Sequence, residues 1–369
     1  GNLTVTGRLL LNDGSNNVAI GTGTAGGATT GNDSNVSVGY SAGAGLTTGD
    51  NNTFIGTQAG CATTTSASNV AVGLNALRSN TTGAANTAIG RQSMYSNATA
   101  SNITAVGYYS LYANTTGICN TAVGNQALQK TTTGGSNTAI GDNALHCNTT
   151  GTNNTASGYK ALWANQTGVY NVAYGRKALT LNTTSYNTAL GSNALCVNTT
   201  GAGNTASGYA ALRTNTTGSE NTASGLKALY ANTTGIRNTA SGYYALRLNT
   251  TGCHNAAFGS YTLKSNTTGC KNVAVGCGAL YANTTASYNT AVGERALNAN
   301  TTADKNTAVG YIALCANTTG RHNTASGAYS LSDNTTGGCN TASGYQAMNS
   351  NTTGGDNAAY GRYALGANT

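Results

Sequence analysis

The sequence predicts an all-β fold, a parallel β-solenoid of about 21 coils with a 17-residue repeat. Three observations predict it. One glycine recurs 21 times from Gly21 to Gly361, every 17 residues except for one step of 18 (Gly21 to Gly39) and one of 16 (Gly175 to Gly191). Written from its first Asn, the repeat is N-T-A-x-G-x-x-A-L-x-x-N-T-T-G-x-x, cleanest at Asn306 to His322. The composition is 51 Gly, no Pro, 38% hydrophobic and 7% charged residues. Ordinary globular chains carry about 25% charged and 45–50% apolar residues, so a core of closely packed large side chains is excluded. The 21 Tyr and the regular apolar pattern exclude simple disorder. The lack of Pro and of a Gly-X-Y period excludes collagen. No apolar run is long enough for a transmembrane helix.

A strict period over nearly the whole chain implies units stacked on their neighbours. Helical arrays need about 33 residues or more per unit. Asn-Thr-Thr-Gly suits a corner, because Thr is β-branched and Gly weakens a helix. Asn-Thr-Ala-Val-Gly alternates as a short strand. Each unit is therefore expected to give two short strands and two corners, with Ala-Leu-x-x as either strand or a single helical turn. Position three is Ala in 19 of 21 units, and position nine is mostly Leu, with Met94 and Met348 as substitutes. A narrow coil needs a small residue opposite a large one. The expected core pairs are thus Ala122 with Leu128, Ala206 with Leu212, and Ala308 with Leu314. Positions two and four then face outward, the reverse phase being the alternative. Position four is apolar early (Ile20, Val72, Ile140) and Ser later (Ser207, Ser224, Ser241). An outward apolar row predicts a covering chain. Residues 1–15 are expected to be a leading strand segment continuing an upstream shaft, and residues 16–369 the solenoid.

The motifs Asn16-Asn17-Val18-Ala19-Ile20-Gly21, Asn35-Val36-Ser37-Val38-Gly39 and Ser68-Asn69-Val70-Ala71-Val72-Gly73 resemble the N-S-V-A-I-G repeats of YadA-like trimeric autotransporter adhesin heads. The longer NTAxGxxALxxNTTG phrase is similar to repeats of phage and phage-like tail fibres. Gly1-Asn2-Leu3-Thr4-Val5-Thr6-Gly7 is similar to the strand repeats that precede such regions. The resemblance covers nearly the whole chain from about Asn16. It implies a left-handed β-roll, three chains side by side, and an attachment fibre on a cell surface or virion. The adhesin-head coil is usually shorter than 17 residues.

Little in the sequence supports catalysis. Of the nine acids (Asp13, Asp33, Asp50, Asp142, Glu220, Glu294, Asp304, Asp333, Asp356), only Asp33 and Asp50 share a column in neighbouring coils, and no other pair does. His146, His254 and His322 lie many coils apart, so neither a metal triad nor a Ser-His-Asp set can be assembled. No phosphate-loop motif occurs, no cofactor is implied, and the chain is not expected to be an enzyme. The net charge of +8 comes from basic residues that read as scattered, so no nucleic-acid groove is expected. Asn at position twelve recurs before Thr-Thr, making Asn80, Asn114, Asn148, Asn215 and Asn317 formal glycosylation sequons. The competing reading, which we favour, is a ladder that satisfies corner backbone. Nine scattered Cys do not form a disulfide framework. Only Cys253 and Cys270 stand one coil apart at matching positions. Stacking would set their Cα atoms roughly 4.8 Å apart, within the disulfide range of about 4.4–6.8 Å, so a bridge and two free thiols are both open. Tyr gathers just after the repeat glycine (Tyr108, Tyr109, Tyr159, Tyr209, Tyr243, Tyr244, Tyr311, Tyr345), as a sugar-binding stripe or an edge cover.

The expected function is a structural fibre or shaft segment of a tail fibre or surface adhesin: extracellular, homotrimeric, with a cell-surface glycan as receptor. The alternatives are a filament joined end to end and an ice-binding solenoid carrying Thr arrays such as Thr115 and Thr116.

Overall fold

A computed structural model describes residues 8–11, 16–24 and 33–367. Gly1 to Gly7 and Asp13 lie outside the described residues. The chain forms 22 strands and no helix among the described residues. They run from β1 (Arg8–Leu11) and β2 (Val18–Gly21) through β3 (Val36–Val38) to β22 (Ala358–Tyr360), with three residues in every strand from β3 on. The chain divides into two compact units, Gly1–Ser185 and Tyr186–Thr369, and the division falls within the single 16-residue repeat.

In the first unit β1 pairs antiparallel with β2. Each strand from β2 then pairs parallel with the next, as far as β11 (Val172–Tyr174). In the second unit β12 (Thr188–Leu190) begins an equally regular parallel stack that ends at β22. Each repeat is one coil of a parallel β-solenoid, its strand in register with the next: Thr205, Ala206 and Ser207 face Thr222, Ala223 and Ser224. The in-register pairing follows from the constant repeat length, because a one-residue slip would turn every buried Ala outward.

Position three points in. Ala122, Ala206 and Ala308 are fully buried, and so are Leu128, Leu212 and Leu314 at position nine. Positions two and four lie on the outer face, half-buried or exposed. One coil shows that volume sets the rule. Phe54 replaces Ala at position three and is fully buried. Position nine is Gly43 in the coil before it and Gly60 in its own. A Cβ on Gly43 would lie 2.9 Å from the Phe54 ring, and one on Gly60 2.5 Å from it. The large and small residues have exchanged places within the same narrow interior.

The second expected strand does not form. Each coil has one strand, and the segment carrying Ala-Leu is a run of turns, neither strand nor helical turn. The cause is backbone conformation: positions seven and nine are left-handed, as at Lys227 (φ 53°) and Leu229 (φ 50°). Two left-handed residues so close together break any extended ladder. The turns still stack, since Leu212 N donates to Ala228 O at 3.0 Å and Leu229 N to Ala245 O at 3.0 Å. A β-branched residue is strongly disfavoured in this region, which explains why position nine from Gly43 on takes Leu, Met or, at Gly43 and Gly60, Gly, and never Val or Ile. Ile312 breaks the same preference at position seven, with φ 57°. Ile312→Asn is expected to raise stability by about 1 kcal/mol, because Asn tolerates this conformation. Thermal denaturation reads this, and an unchanged or lower midpoint would count against strain at that residue.

Two asparagine ladders run inside the coils. At position one, Asn221 N donates to Asn204 Oδ1 at 3.0 Å, and Asn221 Nδ2 donates to the same oxygen at 3.2 Å and to Gly235 O at 2.8 Å. At position twelve, Asn232 Nδ2 donates to Asn215 Oδ1 at 2.8 Å and again to Gly235 O, at 3.0 Å. Both ladders therefore converge on the corner carbonyl at position fifteen and close each coil. Thr131 interrupts the second ladder. It has no amide to donate, and the buried Oδ1 of Asn114 is left without a partner. Thr131→Asn is expected to complete the ladder and add about 1–3 kcal/mol, the cost of an unsatisfied buried acceptor. Chemical denaturation followed by hydrogen exchange around Asn114 would register it; a destabilised variant would show that the site lacks room for the amide.

Candidate functional site

The five candidate sequon asparagines, Asn80, Asn114, Asn148, Asn215 and Asn317, are fully buried. Their Nδ2 atoms donate within the corner, for example Asn215 to Gly218 O at 2.8 Å and Asn317 to Gly320 O at 2.9 Å. A glycan on such a nitrogen would have to replace these bonds and occupy the coil interior. The following Thr is also engaged: Thr115 Oγ1 donates to Thr132 O at 3.1 Å, and Thr216 Oγ1 to Thr233 O at 3.1 Å. These hydroxyls are spent on the next coil's backbone rather than displayed.

Cys253 and Cys270 are free and half-buried, with their Sγ atoms 2.8 Å apart. The backbone N of Cys253 donates to Cys270 Sγ at 3.0 Å. Burial, followed by the hydrogen bond to Cys270, pushes the Cys253 thiol up to about 11. A raised thiol pKa means that the reactive thiolate appears only as pH rises through that value. Alkylation at pH 8 should therefore label Cys253 more slowly than the exposed Cys119, Cys277 and Cys339, and the gap should narrow towards pH 11. Peptide mapping without reductant checks both points: equal labelling rates would refute the shift, and a linked pair of peptides would replace the thiols by a bridge.

Among the described residues no group of three or more His, Cys, Asp and Glu is placed to hold a metal ion. No helix is long and apolar enough to cross a membrane among them. His146 instead stacks on Trp163, ring centroids 6.1 Å apart, and burial, then the charge of Lys130, lowers its pKa.

Two outer faces remain. The first is the strand face. At position four Ile89, Ile140, Leu190 and Val309 are exposed in spite of their apolar side chains, as are Phe258 and Tyr174. The second is built from positions six, seven and ten, which the consecutive turns bring together. Eleven of the 17 basic residues that read as scattered along the chain collect here. Arg78, Arg91, Lys160, Arg176 and Lys177 do so in the first unit, and Arg213, Lys227, Arg247, Lys264, Arg295 and Arg362 in the second. Only Asp142 and Glu294 among the acids occupy the same positions. Sixteen of the 21 Tyr and the single Trp fall there too. The rings and cations interlock: Arg247 lies 4.8 Å from the Tyr244 ring and Arg362 4.7 Å from Tyr363. Tyr311, Tyr329, Tyr345 and Tyr363 follow one another edge to face, at 5.4, 6.2 and 5.7 Å. Position ten was missed as part of this face. The available signal was its alternation of Tyr with Arg or Lys at one-repeat spacing (Arg213, Tyr230, Arg247, Lys264, Tyr281).

No protein-family model matches this chain, and no curated protein matches it significantly.

Proposed function

We propose that this chain is a structural shaft segment of an extracellular attachment fibre, of the tail-fibre or surface-adhesin kind, in which three chains associate along their strand faces. The observation that carries the reading is the outer strand face. Columns of Ile, Val, Leu and aromatic residues there remain exposed at position four, and a row of apolar side chains on a regular sheet favours burial against another chain. The stacked coils supply spacing and stiffness, and the tyrosine- and cation-rich face supplies a surface for attachment. In this reading the dry seam lies beside Ile55, Val72 and Ile89, and a polar seam beside Ser207, Ser224 and Ser241. Native mass spectrometry should give three chains per particle, and Ile89→Lys should weaken assembly more than Ser224→Lys. A monomer, or equal effects of the two substitutions, would remove the proposal. The ice-binding alternative is weaker because the hydroxyls of one of its two Thr columns, such as that of Thr115, are bonded to neighbouring backbone.

A further inference from the structure

The cation-rich face of the second unit carries one local irregularity. Position seven bears a side chain in every coil from Ser41 to Tyr363 except at Gly278. Its neighbours in the column are Tyr261 and Arg295. With no side chain at Gly278, a groove of about 570 Å³ opens over that glycine. A Cβ built there would meet only Asn298 Nδ2 at 3.3 Å and Arg295 Cγ at 3.8 Å. The groove thus has room for a group of side-chain size or larger, and Gly278 is its floor. Its walls are the rings of Tyr261 and Tyr281, 6.5 Å apart, with Lys264, Arg295 and Glu294 around them.

We infer that this groove binds an acidic sugar unit of a polysaccharide, with the ring against tyrosine and the carboxylate on Lys264 and Arg295. Three observations set the ligand class. First, the two cations are uncompensated: the ion pair among the described residues is Arg237 with Glu220, and neither Lys264 nor Arg295 lies within 4.0 Å of an acid. Second, the Lys264 ammonium is held at the wall. Nζ donates to Tyr281 Oη at 2.9 Å and lies 4.9 Å from the Tyr281 ring and 5.4 Å from that of Tyr261. It is oriented before any ligand arrives, which reduces the ordering cost of binding. Third, Glu294 lines the same groove. A carboxylate accepts hydrogen bonds from sugar hydroxyls, which a DNA phosphodiester backbone does not offer, so a polyhydroxylated ring with one acidic group fits better than a nucleic-acid backbone. This deepens the attachment role proposed above and rests on it, but it requires no particular number of chains.

Titration calorimetry with the intact chain tests the assignment, using hexagalacturonate as probe, with neutral maltohexaose and a thymidine hexanucleotide as comparisons. Hexagalacturonate should bind, should compete with salt, and should slow alkylation of the exposed Cys277 in the groove wall without affecting the exposed Cys339. Gly278→Gln is the decisive variant. It leaves the net charge unchanged, and Gln already occupies this position at Gln92, Gln126 and Gln346 with φ 54–56°. It should cost no more stability than the ordinary left-handed penalty, as Gly278→Ala does, and abolish binding. Lys264→Gln and Arg295→Gln should each weaken binding by about tenfold or more, the loss of one charge-assisted hydrogen bond. Undiminished binding by Gly278→Gln, equal binding of maltohexaose, or tighter binding of the oligonucleotide would overturn the site. None of these results bears on the particle mass, so failure here and failure of the shaft reading remain distinguishable.

Discussion

Gly225→Ala should destabilise the second unit by more than about 3 kcal/mol, far more than a glycine-to-alanine change ordinarily costs. Gly225 is the repeat glycine at position five. Its φ is +128°, a conformation that L side chains rarely adopt, and an added Cβ would lie 2.6 Å from Gly242 O and 2.8 Å from Gly242 C. Those atoms belong to the next coil's backbone, so nothing flexible can give way. Relief would require the two coils to separate where Gly242 N donates to Ser224 O at 2.8 Å. Gly278→Ala is the control. Its φ is +66° and the nearest obstacle is a side-chain amide at 3.3 Å, so it should cost only about 1–2 kcal/mol, the ordinary left-handed penalty. Denaturant titration of the two variants orders them, and a larger loss for Gly278→Ala would refute the stacking argument.

The same glycine shows why so much of the fold was legible. A residue that only its neighbour's backbone constrains must recur once per coil, so the period of Gly21 to Gly361 displays the stacking before any side chain is considered. The inward phase was legible for a related reason. Ala206 and Leu212 share one narrow interior, and the exchange at Phe54 and Gly60 keeps their joint volume. The turns were not legible, because Lys227 and Leu229 are left-handed without being glycine, and neither residue type announces that conformation. What remained in the sequence was a negative signal, the absence of Val and Ile at position nine. The cation-rich face was lost for the same reason. Reading Arg247 and Lys264 as scattered assumes a chain that alternates, whereas the turns set positions six, seven and ten side by side. The ladder at position twelve was expected from Asn80 and its repeats. Its counterpart at position one passed as the start of a strand, since nothing local marks Asn221 as buried.

Leu212→Asp carries the largest expected effect. Leu212 is fully buried, and removing its side chain alone should cost about 2–5 kcal/mol. An unpaired carboxylate in the same place adds several kcal/mol of desolvation, because nothing charged is near enough to compensate it. The neighbours are apolar: Ala206 and Ala223 on the strand side and Leu229 in the next coil, all fully buried. In a stacked repeat each coil leans only on its neighbours, so the damage should be local at first. The strand Thr205–Ser207 and the corner at Asn215 should lose protection from hydrogen exchange before distant coils do. Leu212→Ile separates packing from conformation. The two side chains have nearly equal volume, and a volume-conserving swap usually costs under about 1.5 kcal/mol. At φ 50°, however, a β-branched residue meets a left-handed backbone it strongly resists, so the loss should exceed that figure. The expected order of stability is wild type, then Leu212→Ile, then Leu212→Asp. A neutral Leu212→Ile would show that position nine selects Leu by volume alone, and an Asp variant that melts with the wild type would mean that position nine does not face the interior.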